Sequence, residues 1–274
     1  VKTTPRQRRP EKYRLATDVA GIHQHWAFEV SDPTDYDWLE TAILDDGYYE
    51  HGGVWTLEPD QDKQIMGELL ASVAPAPSRA LELGCSSGTV LRVLRGFGLD
   101  AEGIDISHFA YEKAHPDIRR HIHLGDLLEV ELPSDYDLVF GLDIFEHLNP
   151  NRLDRYLAAA RSRIGPAGGW LVANIPAYGQ DEVFGQAFQM YLPEWFEDME
   201  AGRPFRLLHC DEAGYPMHGH LTWAHTTWWV SRFNEAGFVR QPDTERPLQD
   251  RYSEHLAAEP ARRSIYVFRA EAAA

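Results

Sequence analysis

Cysteine is nearly missing. Only Cys85 and Cys210 occur in 274 residues. Two isolated thiols give neither a disulfide framework nor a Cys-x-x-Cys metal or redox site, which fits a reducing, cytoplasmic compartment. Long apolar runs are missing too. No stretch approaches the roughly 20 residues of a membrane span, and no signal-peptide core is visible, so a membrane partner is not expected. Basic charge is scarce, with 26 Lys and Arg against 43 Asp and Glu and a net charge of −17. A nucleic-acid partner needs a basic face to neutralise phosphates. The balance argues against that class, a local basic patch aside, and favours small neutral or cationic substrates. Repeats and low-complexity tracts are absent apart from an Ala-rich C-terminal end. Aromatics are plentiful, with 8 Trp, 12 Tyr and 12 Phe. Such side chains fill cores and also wall sugar and aromatic pockets. This length can bury a large core, as one domain or as a core with appendages. A homo-oligomer is left open.

One stretch organises the rest. Residues 80–88 read Ala-Leu-Glu-Leu-Gly-Cys-Ser-Ser-Gly, followed by Thr89-Val90-Leu91-Arg92-Val93-Leu94. The pattern predicts a short apolar strand, a tight small-residue turn and an amphipathic helix. Glycines let backbone approach a ligand closely, and a helix start offers unpaired N–H groups. Glu82 stands at the strand end. About 20 residues on, Gly103-Ile104-Asp105-Ile106 places an acid at the end of a second strand, the usual partner of a ribose diol.

These residues resemble those of class I S-adenosylmethionine (SAM)-dependent methyltransferases, of the small-molecule and sugar type. The family's acidic residue followed by Gly-x-Gly-x-Gly stands here as Glu82-Leu83-Gly84-Cys85-Ser86-Ser87-Gly88, with Ser86 replacing the middle glycine. Gly125-Asp126 matches the position that contacts adenine. Residues 136–148, ending Gly141-Leu142-Asp143-Ile144-Phe145-Glu146-His147-Leu148, match the fourth strand and the Glu-His pair that follows it. Ile164-Gly165-Pro166-Ala167-Gly168-Gly169 resembles the turn into the fifth strand, and the match covers about residues 78–176, with a weaker echo at 220–240. The resemblance implies a doubly wound, mostly parallel seven-stranded Rossmann-like sheet with an N-terminal helical cap and an aromatic insertion. It also implies S-adenosyl-L-methionine as cofactor, with S-adenosyl-L-homocysteine as product. Gly84, Ser86 and Gly88 would lie against the methionine moiety and Glu82 would hold its ammonium. Asp105 would take the ribose hydroxyls with Ile106 under the adenine. Asp126 would accept from the adenine amino group with Leu127 beside it, and Gly141, Leu142 and Asp143 would line the methionine side.

Along the chain, residues 1–75 read as tail and cap, and 76–274 as core with an insertion at about 176–217. The first 20 residues, basic and broken by Pro5 and Pro10, read as a solvated, flexible terminus. A helix is expected from Pro59 to Val73. Tyr48-Tyr49-Glu50-His51-Gly52-Gly53 reads as a lid piece or as ordinary packing around a glycine turn. Strands are expected at 79–83, 101–105, 121–124, 136–142 and 169–175, and helices at 151–164 and from Thr226, capped by Thr226 itself, to Gly237. Ser264–Arg269 reads as a final antiparallel strand. The aromatic insertion, from Tyr178 to Phe205, serves substrate specificity or covers the core.

Methyl transfer to a hydroxyl needs alignment and removal of a proton. His147, His218, His220 and His225 are the candidate bases, since imidazole titrates near neutrality; structural packing is the rival reading. His218, His220 and His225 with Asp211 and Glu212 could also hold a divalent metal, but their spacing matches no standard ligand pattern, and no metal site is expected. Gly84-x-Ser86-x-Gly88 with His51-Gly52-Gly53 mimics a hydrolase elbow and oxyanion loop. That reading lacks upstream strands and leaves Asp105 and Asp126 without a role. A nicotinamide dehydrogenase fails on the register of its glycines. The expected function is therefore methyl transfer to a small-molecule substrate, a hydroxyl of a sugar, glycan or secondary metabolite. N-methylation of an amino sugar or small amine is the alternative, and a non-catalytic SAM-fold binding module is the rival of another class.

Overall fold

The computed structural model describes residues 3–50 and 58–272. His51 to Gly53 of the expected lid lie outside that range.

The alternation of apolar runs with amphipathic stretches from residue 58 onward builds the central layer. Helix α3 (Gln61–Val73) leads into β3 (Arg79–Leu83), then α4 (Thr89–Gly96), β4 (Asp100–Asp105), α5 (His108–Lys113), α6 (Pro116–Arg119) and β5 (Ile122–Leu124). Strand β6 (Leu138–Leu142), α7 (Leu153–Arg163) and β7 (Gly169–Asn174) follow. After the insertion come α9 (Thr226–Glu235), β11 (Phe238–Arg240), α10 (Pro242–Arg251), α11 (Ser253–Ala258) and β12 (Ile265–Ala270). The seven-stranded sheet has the order β11-β12-β7-β6-β3-β4-β5. Strands β3 to β7 run parallel, and β12 is antiparallel to both β7 and β11. Strands of β3 pattern, apolar on both faces, need cover on both sides. Helices α3, α4, α10 and α11 pack on one face through Leu69, Leu70, Leu91, Leu94, Leu248 and Leu256 against Ala80, Phe140 and Val267. Helices α7 and α9 pack on the other through Leu157, Trp229 and Phe233 against Leu81, Val139 and Phe268. This is the doubly wound architecture, and the order turns around β3, so ligands meet the carboxyl ends of β3, β4 and β6.

The remaining residues form a second, smaller layer. Helix α1 (Pro5–Arg8), β1 (Tyr13–Thr17), β2 (Gln24–Glu29) and α2 (Thr34–Asp45) come from the N-terminal segment. From the insertion come the short pair β8 (Gln180–Asp181) and β9 (Gly185–Gln186), then α8 (Pro193–Glu200) and β10 (Leu207–His209). Strand β2 sits between β1 and β10, antiparallel to both. The cap and the aromatic insertion, read separately from sequence, therefore share one sheet and one core, in which Phe28, Tyr36 and Leu39 meet Tyr178, Trp195 and Phe205. The cap holds strands as well as helices. The expected solvated terminus is also corrected among the described residues. Lys12 and Arg9 reach the buried Asp35 carboxylate at 2.7 and 3.2 Å, Arg8 pairs with Asp46, and Arg6 lies 4.2 Å over the Trp26 ring. Cations given buried carboxylates and indole faces do not stay in solvent.

Candidate active site

The turn after β3 takes the backbone form its small residues allow. Gly84, Ser86 and Gly88 have φ of +68°, +48° and +73°. A Cβ on Gly84 would meet Ile144 at 2.6 Å, and one on Gly88 would meet Ile118 at 2.5 Å, so both are closed to larger residues. Ser86 accepts the left-handed conformation that a glycine would take freely. Its N–H donates to Asp105 Oδ2 at 2.7 Å, which ties the turn to the end of β4. Its hydroxyl is buried without a partner.

Asp105 also accepts the Ser107 N–H on Oδ1 at 2.8 Å. A carboxylate has about four lone-pair sites, so each oxygen keeps capacity for a hydroxyl donor. Burial pushes the Asp105 carboxyl up, against the pull of those backbone N–H groups. Ile106 leaves its side chain 46% exposed at the same edge. Glu82 is buried, and its Oε2 has no partner. Desolvation, then the nearby Asp105 charge, raises its pKa well above the usual range, while Lys63 on α3 opposes the rise. A buried carboxylate in this state is built to receive a cation.

Asp126 Oδ1 accepts the Leu128 N–H at 2.8 Å and Oδ2 accepts the Tyr156 hydroxyl at 2.7 Å. Leu127 turns inward into the core that α7 covers, so its side chain belongs to packing more than to an open adenine surface. Gly141 admits no side chain, since a Cβ would meet Ile144 at 2.5 Å. Leu142 is half-buried beside it. Asp143 has φ +56° and pairs with Arg262, which also holds both oxygens of Asp62, at 3.0–3.1 Å, and Asn174 Oδ1 at 2.6 Å. Asp143 is thus charge-paired within the protein.

The four histidines separate. His147 and His220 meet ring to ring, with centroids 4.7 Å apart. His218 lies 5.5 Å beyond His220, exposed and with φ +58°. His225 is elsewhere in role. Its Nδ1 accepts the Thr227 N–H at 3.2 Å and caps α9, and its ring packs on Gly179. The cap expected at Thr226 is therefore one residue earlier, and His225 is a capping residue. Asp211 closes its own turn by accepting from Gly214 and Tyr215 N–H. The set weighed and set aside as a metal site, His218, His220 and His225 with Asp211 and Glu212, does not come together among the described residues.

Glu146, Tyr49 and Arg262 carry what the sequence reading left without a role. Glu146 follows β6 in the turn Phe145–His147, is 1% exposed, and neither carboxylate oxygen has a hydrogen-bond partner. His220 Nε2 lies 3.8 Å from its Oε1. Burial and the Asp143 charge raise the Glu146 carboxyl well above its ordinary value. Burial lowers His147 to about 4 and His220 well below its usual value, so both rings are neutral at pH 7. Tyr49 donates its hydroxyl proton to the Gly219 carbonyl at 3.1 Å, and its oxygen lies 3.2 Å from His147 Nδ1. With the phenolic proton given to Gly219, the Tyr49 oxygen can accept from His147 Nδ1–H, the tautomer in which Nε2 keeps its lone pair. Glu50 accepts the His108 and Phe109 N–H groups at the start of α5, so the Tyr49–Glu50 pair straps across both sites. Glu146 stood in the sequence beside His147, and its acidic side chain following an apolar strand was the available signal. Arg262 had none, being 119 residues from Asp143.

A family model described as a methyltransferase domain matches residues 61–240. No curated protein matches the chain by sequence. Among solved structures, the 1,6-didemethyltoxoflavin-N1-methyltransferase of Burkholderia thailandensis, bound to 1,6-didemethyltoxoflavin and S-adenosylhomocysteine, is similar at 14% identity. That match has a TM-score of 0.55 and covers 94% of this chain and 100% of that one. The amino pentose methyltransferase CalS10 of Micromonospora echinaspora, bound to SAM, matches at 18% identity and a TM-score of 0.48. It covers 83% of this chain and 96% of that one.

Proposed function

The chain belongs to the methyltransferase-domain family, and on that premise we propose that it transfers a methyl group from S-adenosylmethionine to a hydroxyl of a small, polar acceptor such as a sugar. S-Adenosylmethionine supplies an activated methyl on a sulfonium centre, and the chain's residues bind, orient and handle the proton. The unpartnered buried carboxylate of Glu82 fits an ammonium group. The turn at Gly84, Ser86 and Gly88 fits a ligand pressed against backbone. The spare lone pairs of Asp105 fit a ribose diol, and the exposed face of Ile106 fits an adenine ring. Asp126, fixed by Tyr156, faces the adenine edge. Asp143 and Arg262 set the charge at the methionine end.

The observation that carries the hydroxyl acceptor is the Glu146–His147–His220 cluster beyond β6. An alcohol is a weak nucleophile until its proton leaves, and a neutral imidazole with a free Nε2 can take it. Tyr49, 3.2 Å from His147 Nδ1, is placed to favour the tautomer this requires. The same geometry suits a cation that acidifies the hydroxyl, which the unpartnered Glu146 favours. An amine acceptor would need neither device. The proposal is tested by mass spectrometry of products from SAM and a panel of sugars, polyols and amines. The expected result is one added methyl on a hydroxyl, with turnover reduced by about a hundredfold or more in His147→Ala. Methylation of amines alone, or unchanged turnover in both His147→Ala and His220→Ala, overturns the hydroxyl assignment.

A further inference from the structure

We infer that Glu146, His147 and His220 form a binding site for one divalent first-row transition cation, placed to hold the acceptor hydroxyl; the inference rests on the methyltransferase reading for that role, though not for the binding itself. One ligand atom from each of the three residues lies within 4.8 Å of the others. The Oε1–Nε2 pair of Glu146 and His220 stands at 3.8 Å. Bonds of about 2.1 Å to a shared ion set ligand atoms roughly 3.0–3.5 Å apart, so a closure of about 1 Å completes the site.

Glu146 gives the second, independent reason. It is buried to 1% exposure and both its oxygens lack hydrogen-bond partners. Among the described residues no Lys or Arg pairs with it. Arg262, whose charge reaches Glu146, is hydrogen-bonded to Asp62, Asp143 and Asn174 instead. A buried carboxylate with no donor is costly to ionise, and a cation removes that penalty. The surroundings are arranged as around a metal ligand. Tyr49, held on the Gly219 carbonyl, lies 3.2 Å from His147 Nδ1, and in the Nδ1–H tautomer this contact supports, Nε2 is the ligand atom. The backbone beside Glu146 is held as well, since its carbonyl accepts the Thr222 N–H at 2.9 Å. Two imidazoles with one carboxylate favour a first-row transition ion over Mg²⁺ and leave open positions.

The chemistry balances without a further reagent. A cation against the acceptor oxygen lowers the pKa of the hydroxyl, and the proton leaves to solvent. The O–CH₃ bond forms as the S–CH₃ bond breaks, and S-adenosylhomocysteine departs as a neutral thioether. The histidines then serve as ligands, which agrees with rings kept neutral by burial.

The test is titration of the chelator-treated full chain with Co²⁺, followed by calorimetry and visible absorption, beside a separate titration with S-adenosylhomocysteine. One Co²⁺ per chain is expected, with affinity at least about tenfold weaker in both Glu146→Gln and His220→Ala. S-Adenosylhomocysteine affinity is expected to stay within about twofold in both. A wild-type chain that binds S-adenosylhomocysteine yet shows no saturable Co²⁺ site overturns the inference. Equal Co²⁺ affinity in wild type and both variants does so too. Should Glu146→Gln fail to fold, His220→Ala, whose ring is partly exposed, carries the comparison. Loss of S-adenosylhomocysteine binding in the wild type would strike the methyltransferase reading and leave the cation site to its own titration.

Discussion

At the scale of single residues, the site departs from ordinary packing by what it leaves unfinished. Glu82, Ser86 and Glu146 each bury a polar atom without a partner, and all three lie at or just past the carboxyl ends of strands. Ser86 adds backbone strain, since an L-residue at φ +48° costs about 1–2 kcal/mol relative to glycine. Ser86→Gly removes both the strain and an unpartnered hydroxyl, against about 0.5–1 kcal/mol of extra chain entropy. The variant should gain about 1 kcal/mol, visible as a rise in Tm of roughly 2 °C by calorimetry. A fall in Tm would show that the Ser86 side chain stabilises the empty turn. Most residues of this site were legible in the sequence because turn chemistry and strand ends are local. Gly84, Ser86, Gly88 and Asp105 needed only their spacing. The partners of Asp143 and His147 were not legible, because Arg262 and Tyr49 reach them across 119 and 98 positions, respectively.

At the scale of elements, the expected strands and helices of the core are present, with ends shifted by at most two residues, as fraying and caps allow. The differences lie where tertiary pairing decides. Strands β1 and β2 carry Arg14, His25 and Gln24 among their apolar residues, and a half-exposed sheet of that composition gives no clean alternation. They become strands by pairing with each other and with β10, whose sequence is about 180 residues away. Helix α9 shows the other kind of miss. Histidine is an unusual cap, and with Thr226 and Thr227 following it the sequence points to Thr226 as the cap, one residue past the His225 that caps a helix starting at Thr226. If His225 caps α9, His225→Ala should cost about 1 kcal/mol in urea unfolding, and His225→Ser should recover most of it. Equal stability of the alanine and serine variants would contradict the capping role.

At the scale of the whole molecule, two layers meet at the carboxyl ends of the parallel strands, where Tyr49 reaches His147 and Ser107. The parallel sheet presents Glu82, Asp105 and Asp143, and the smaller layer contributes Tyr49 and His220 from segments far apart in sequence. Arg262 links α3, β6 and β7 to the C-terminal part of the chain through Asp62, Asp143 and Asn174. Removing it leaves two partly buried carboxylates without their shared cation. Arg262→Met should therefore lower unfolding stability by about 2–3 kcal/mol, less than for a fully buried pair because solvent screens Asp143. A loss under about 1 kcal/mol would mean that Lys63 and His255 suffice to hold Asp62. No described helix is long and apolar enough to cross a membrane.

Everything said of the site depends on one ligand. Calorimetric titration with S-adenosylhomocysteine, on the wild-type chain and on Asp105→Ala, tests it most directly. The account predicts saturable binding of one equivalent to the wild type. It also predicts at least about thirtyfold weaker binding to the variant, or about 2 kcal/mol for hydrogen bonds lost to a charged acceptor. Near-equal affinities, or no binding to the wild type, would contradict the account.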